Sequence, residues 1–112
     1  MIIHDYETRS GKALVKDYIL NLPEEEKVDG LSVLKDMEDN KLDSLLIKRW
    51  ESKVFEVYFR KHNRIFYIIA DENNLYLLHA CRKQKNKTEK VDGDLVKRRA
   101  KELGRLLNKN FI

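Results

Sequence analysis

A chain of 112 residues, 42% hydrophobic and 38% charged, is too apolar for a disordered tail and long enough to bury one core, so a single domain over residues 1–112 is expected. Its one cysteine, Cys81, excludes an internal disulfide, and His4, His62 and His79 lack metal-ligand spacing, so neither metal nor cofactor is expected. The net charge of +4 is unevenly spread: residues 1–43 hold 6 Lys/Arg against 11 Asp/Glu, and residues 44–112 hold 17 against 8, a polarity that suits contact between the C-terminal part and a polyanion such as nucleic acid.

Met1 to Glu7 reads as a short strand, followed by a break at Ser10 and Gly11 where a helix can begin. Ala13, Leu14, Tyr18 and Leu22 then recur at helical spacing up to Pro23. That proline suits the first turn of a second helix, and Glu24, Glu25 and Glu26 favour its positive dipole end. Val28, Leu31, Leu34 and Met37 continue the second helix to about Asn40, completing an antiparallel helix hairpin.

From Lys53 the pattern changes to three runs rich in β-branched and aromatic residues, KVFEVYFR, RIFYIIAD and LYLLHACR. Short polar connections at Lys61 to Asn63 and at Glu72, Asn73 and Asn74 predict an antiparallel meander. In its first strand Phe55, Val57 and Phe59 alternate with Glu56, Tyr58 and Arg60, so one face is predicted buried and the other polar. The polar face is the candidate site. Asp94 to Leu107 reads as a closing amphipathic helix with Val96, Ala100, Leu103 and Leu107 on its apolar stripe. The expected class is α+β, with the N-terminal strand and the meander in a mostly antiparallel sheet, packed by the helix hairpin and the C-terminal helix. No apolar run approaches the roughly 20 residues needed to span a bilayer, and the N-terminus does not read as a secretory signal, so a cytoplasmic location without membrane contact is expected.

Several segments together resemble the RelE/HigB toxin superfamily, specifically its phage-derived HigB-like group. YETRSGK, then Asp17, Tyr18 and the pair Leu22 and Pro23, is similar to that group's opening strand and its phrase before the second helix. FEVYFR resembles its Trp-Glu-Leu-Arg strand, and LLHACRKQKNKTEK resembles its Leu-Leu-His-Gly-Phe strand running into a lysine-rich loop. The chain departs from the pattern where Tyr58 and Tyr67 stand in places usually held by arginine, Gln84 replaces a lysine and Glu89 replaces a proline. The resemblance implies a RelE-like fold and a type II toxin acting as a metal-independent endoribonuclease on mRNA, commonly on the ribosome. It also implies a helix-turn-helix, HigA-like antitoxin that blocks the toxin and can build a higher toxin–antitoxin assembly.

Metal-free RNA cleavage must deprotonate a ribose 2′-hydroxyl, stabilise the phosphorane charge and protonate the departing 5′-oxygen. With the resemblance in view, Arg60 and Arg64 are expected at the scissile phosphate with Lys83 adding charge, Glu56 as general base and His79 as a proton shuttle. Tyr58, Tyr67, Arg82, Lys85, Lys87 and Thr88 are expected to bind substrate. Simpler readings stand beside these: a Glu56–Arg60 surface ion pair, half-buried packing for the tyrosines, and a hydrogen-bonded core role for His79 on the face of Leu75, Leu77 and Cys81. Trp50 and Cys81 read as structural. The same basic surface also suits an RNA- or ribosome-binding module without cleavage, and the acidic hairpin of residues 12–40 suits a protein partner.

Overall fold

The computed structural model describes residues 1–83 and 88–112. In chain order it contains β1 (Ile2–His4), α1 (Leu14–Leu20), α2 (Glu24–Glu38), a 3-10 turn at Leu42–Ser44, β2 (Leu46–Glu51), β3 (Val54–Phe59), β4 (Asn63–Ile69), β5 (Asn74–Arg82) and α3 (Lys90–Leu107). The five strands form one sheet in the order β1-β5-β4-β3-β2. Neighbours from β2 to β5 pair antiparallel, whereas β1 runs parallel to β5, so the sheet is mixed.

The expected helix hairpin, meander and C-terminal helix are all present, and β2 is an additional strand. Its sequence LIKRWE places two charged residues side by side and so lacks strict alternation. As a sheet-edge strand it needs only one hydrogen-bonded flank and can leave Leu46, Lys48 and Arg49 exposed. A bulge at Trp50 separates the pairs Arg49↔Phe55 and Glu51↔Val54.

Helices cover both faces of the sheet, which explains why β4 is buried along nearly its whole length. Val15 and Ile19 of α1 and Val33 and Met37 of α2 pack on one face against Val57, Phe59, Ile65 and Tyr67. Gly30 allows α2 to approach closely, because a Cβ there would stand 2.8 Å from the Ile19 side chain. On the other face α3 sets Val96 and Ala100 against Val54, Phe66, Ile68 and Leu78. Each such buried apolar side chain contributes about 1.5–3 kcal/mol relative to exposure. Asn108 ends α3 in the left-handed region, letting Phe111 turn back into the same core.

One irregularity matters for the site. β5 pairs His79 with Phe66 and Leu77 with Tyr67, leaving Leu78 as an extra residue between them. Leu75 and Leu77 therefore face α1 and α2, while Leu78, His79 and Cys81 face α3. The shared face expected for His79 with Leu75 and Leu77 is thus corrected by the bulge. No described helix is long and apolar enough to cross a membrane.

Candidate active site

On the α3 side of the sheet, pairing aligns side chains from four strands in a double row. Lys48 lies opposite Glu56, Tyr58 opposite Arg64, and Arg64 opposite Cys81. The first turn of α3 and the preceding Thr88 cover one end of this double row. Between them and the β2 edge runs a groove of about 540 Å³, lined by Lys48, Trp50, Tyr58, Arg64, Lys83 and Thr88 among others.

Arg64 is the centre of the groove floor. Its Nη1 donates to Thr88 Oγ1 at 2.9 Å and its Nη2 to Tyr58 Oη at 3.1 Å, and Nη2 lies 3.0 Å from Glu56 Oε2. The guanidinium carbon stands 5.1 Å from the Phe66 ring centre and 5.4 Å from that of Tyr58. Although the residue is only 2% exposed, its Nε has no hydrogen-bond partner among the described residues. Thr88, Tyr58 and Glu56 thus hold the guanidinium in one orientation at the floor of the groove.

Tyr58 donates its phenolic hydrogen to Glu56 Oε1 at 2.5 Å. Burial and this acceptor hold the phenol above its usual pKa of 10.0, with the bond from Arg64 opposing them. Lys83 Nζ stands 5.3 Å over the Tyr58 ring, positioned through the backbone bond from Lys83 N to His62 O at 2.7 Å. Glu56 itself is 2% exposed.

The structure thus brings Glu56, Tyr58, Arg64, Lys83 and Thr88 together. Arg60 lies elsewhere: β3 alternation ends at Phe59, and its guanidinium reaches α2, 2.7 Å from Asp29 and 3.0 Å from Glu25. The expected Glu56–Arg60 pair is replaced by Glu56–Arg64. Arg82 also turns to that side, donating to Glu26 at 2.7 Å and to the Lys61 carbonyl at 2.8 Å. Asn63 donates to the same Glu26 oxygen and accepts from Tyr18, locking the β3–β4 turn to both N-terminal helices. Tyr67 is packed in the core facing α1 and α2, where burial pushes its phenol up to about 12. Lys85 and Lys87 lie outside the described residues.

His79 stands behind the groove, under α3. Its Nε2 is 2.7 Å from Asp92 Oδ1, and Arg99 Nη1 is 3.4 Å from its Nδ1. Burial lowers its pKa from the usual 6.5, with Asp92 opposing. The ligand atoms of His79, Cys81 and Asp92 all lie within 4.8 Å of one another, spacing that would admit a metal ion. The donor chemistry favours a hydrogen-bonded cluster instead. With Arg99 donating to Nδ1, the ring proton belongs on Nε2, facing Asp92, and burial pushes the Cys81 thiol up to about 12.

Three contributors were not among the expected site residues. Lys48 lines the groove from β2. Trp50 forms one wall, donating from Nε1 to Thr88 Oγ1 at 3.0 Å and meeting Phe66 edge-on at 5.3 Å. Lys97, 3.6 Å from Glu51, joins the same wall from α3. The adjacent Lys48, Arg49 and Trp50 were the available sequence signal, a cationic and aromatic triplet of the kind that tracks nucleic acid.

No curated protein matches the chain. The family description "Phage derived protein Gp49-like (DUF891)" matches residues 17–101. This family is associated with RelE-like toxins, which are endoribonucleases. Since the match covers most of the sequence and all five residues assembled at the groove, the chain belongs to the phage-derived Gp49-like family, a family of RelE/HigB-like toxins.

Proposed function

We propose that the chain is a HigB-type toxin of a type II toxin–antitoxin pair, an endoribonuclease that cuts mRNA on the ribosome and is neutralised by a helix-turn-helix antitoxin. The observation that carries this reading is the groove in which Arg64, fixed at the floor, is joined by Lys48, Lys83 and Lys97 beside Trp50. Arg64 and Lys83 meet the scissile phosphate and stabilise the charge of the phosphorane, the task that otherwise falls to a metal ion. Lys48 and Lys97 hold the strand beyond it by phosphate contacts, and Trp50 offers an aromatic wall beside a base. The 2′-oxygen attacks, leaving a 2′,3′-cyclic phosphate and a 5′-hydroxyl.

One observation favours a second reading. Glu56 already neutralises Arg64, and Tyr58 occupies a place where an arginine is usual in the group the sequence resembles, so the groove can serve as an RNA-binding module without cleavage. The test is to induce the chain in cells and map new RNA 5′ ends against the Lys83→Ala, Arg64→Lys double variant. Codon-phased ends that vanish in the variant support the toxin reading; intact transcripts with the native chain well expressed move the conclusion to the binding module.

A further inference from the structure

We propose that Tyr58 is the group that exchanges the proton with the substrate, and that Glu56 acts only through it as the inner end of a two-step proton relay. This inference rests on the ribonuclease reading above and assigns the base within it. Glu56 is 2% exposed, with Oε1 accepting from the Tyr58 hydroxyl at 2.5 Å and Oε2 buried 3.0 Å from the Arg64 guanidinium without a hydrogen bond to it. A carboxylate so buried presents no oxygen to a ribose in the groove. Tyr58 is half-buried and lines the groove, with its hydroxyl between Glu56 and Arg64, so the acceptor nearest the substrate is the phenol oxygen. The phenol is held above its ordinary pKa by burial and by Glu56, so it stays neutral and passes a proton without forming a tyrosinate.

In the step itself the ribose 2′-O–H proton moves to the Tyr58 oxygen as the phenolic proton moves to Glu56 Oε1. The freed 2′-oxygen bonds to phosphorus, and the P–O5′ bond breaks with its electron pair on the 5′-oxygen. That oxygen takes a proton from the Lys83 ammonium, which stands over the Tyr58 ring. Glu56 then returns its proton through Tyr58 to solvent, and Lys83 regains one from solvent, so the enzyme is restored and the RNA is only rearranged and divided.

The test uses the purified full chain with ribosomes programmed by a defined mRNA, and the same RNA as a free oligonucleotide. Tyr58→Phe keeps the ring and removes the oxygen. Its single-turnover cleavage is expected to fall about 100-fold, the usual size of a lost acid–base group, with RNA affinity unchanged. Glu56→Gln is expected to lose rate likewise. On the native chain, rates in mixtures of light and heavy water are expected to curve with deuterium fraction, as more than one moving proton requires. Native-like cleavage by Tyr58→Phe, or a strictly linear isotope dependence, overturns the relay while leaving the ribonuclease reading intact. Absence of cleavage by the native chain on both substrates overturns that reading, and the relay with it.

Discussion

Arg64 and Glu56 form an ion pair of 3.0 Å in which each side chain is only 3% exposed. Removing one partner of such a pair leaves a charge buried without compensation, which typically costs about 3–5 kcal/mol. Arg64→Met is expected to lower the urea midpoint accordingly, whereas the double variant Glu56→Leu, Arg64→Met recovers most of the loss. Equal destabilisation of single and double variants would show that the pair does not carry this energy. Neither variant is expected to cleave RNA.

Thr88 Oγ1 accepts from Trp50 Nε1 at 3.0 Å and from Arg64 Nη1 at 2.9 Å, so one hydroxyl joins the groove wall to its floor. Thr88→Val keeps the shape and strands both donors, a loss expected at about 1–3 kcal/mol, while Thr88→Ser restores most of it. Trp50 is the sole tryptophan, so its fluorescence reports the site directly. Addition of a single-stranded RNA oligonucleotide is expected to change the emission of the native chain, and an unchanged spectrum under saturating RNA would remove Trp50 from the interface.

Arg60 is held by Asp29 and Glu25 on the α2 side, away from the groove. Arg60→Ala is therefore expected to cleave within about threefold of the native rate, whereas Lys83→Ala falls much further, as loss of a cation at a developing phosphate charge requires. A collapse of activity in a folded Arg60→Ala protein would place Arg60 back in the chemistry.

His79 titrates below its ordinary 6.5 in the fold because burial disfavours the imidazolium, with Asp92 favouring it less strongly and Arg99 opposing it. The unfolded chain takes up this proton near 6.5 and the folded one does not. Stability from His79 is consequently complete above pH 6.5 and lost as the pH falls through the folded value. Urea midpoints between about pH 8 and about pH 5 should fall with acid in the native chain and fall less in His79→Gln. Parallel curves would remove His79 as the source.

The helix hairpin, the meander strands and the amphipathic end of the chain were legible because their apolar spacing follows the 3.6- and 2-residue periods that burial on one face imposes. β2 was not, since an edge strand with Lys48 and Arg49 adjacent obeys neither period. Strand alternation groups Arg60 with Glu56 and Tyr58, but the strand ends at Phe59 and Arg60 enters a turn where Lys61 and His62 both adopt positive φ. Alternation likewise puts His79 on the face of Leu77, and the bulge at Leu78 that reverses this leaves no local mark in the sequence. Trp50 walls the groove because its indole meets Thr88, a residue 38 positions away that no local pattern in the sequence sets beside it.

By itself, then, the sequence determined the elements with strong periodicity and the division of charge between an acidic start and a basic remainder, and through its family resemblance it offered Glu56, Arg60, Arg64, Lys83 and His79 as candidates for one site. Only the tertiary structure decided which cations meet. Glu56, Arg64, Lys83 and Thr88 come from β3, β4, the end of β5 and the approach to α3, and are joined by strand register and by the turn that carries Lys83 to His62. Those are hydrogen bonds between residues distant in the chain. A local pattern can specify which way a side chain faces within its strand, but register, bulges and the covering helix select its neighbours.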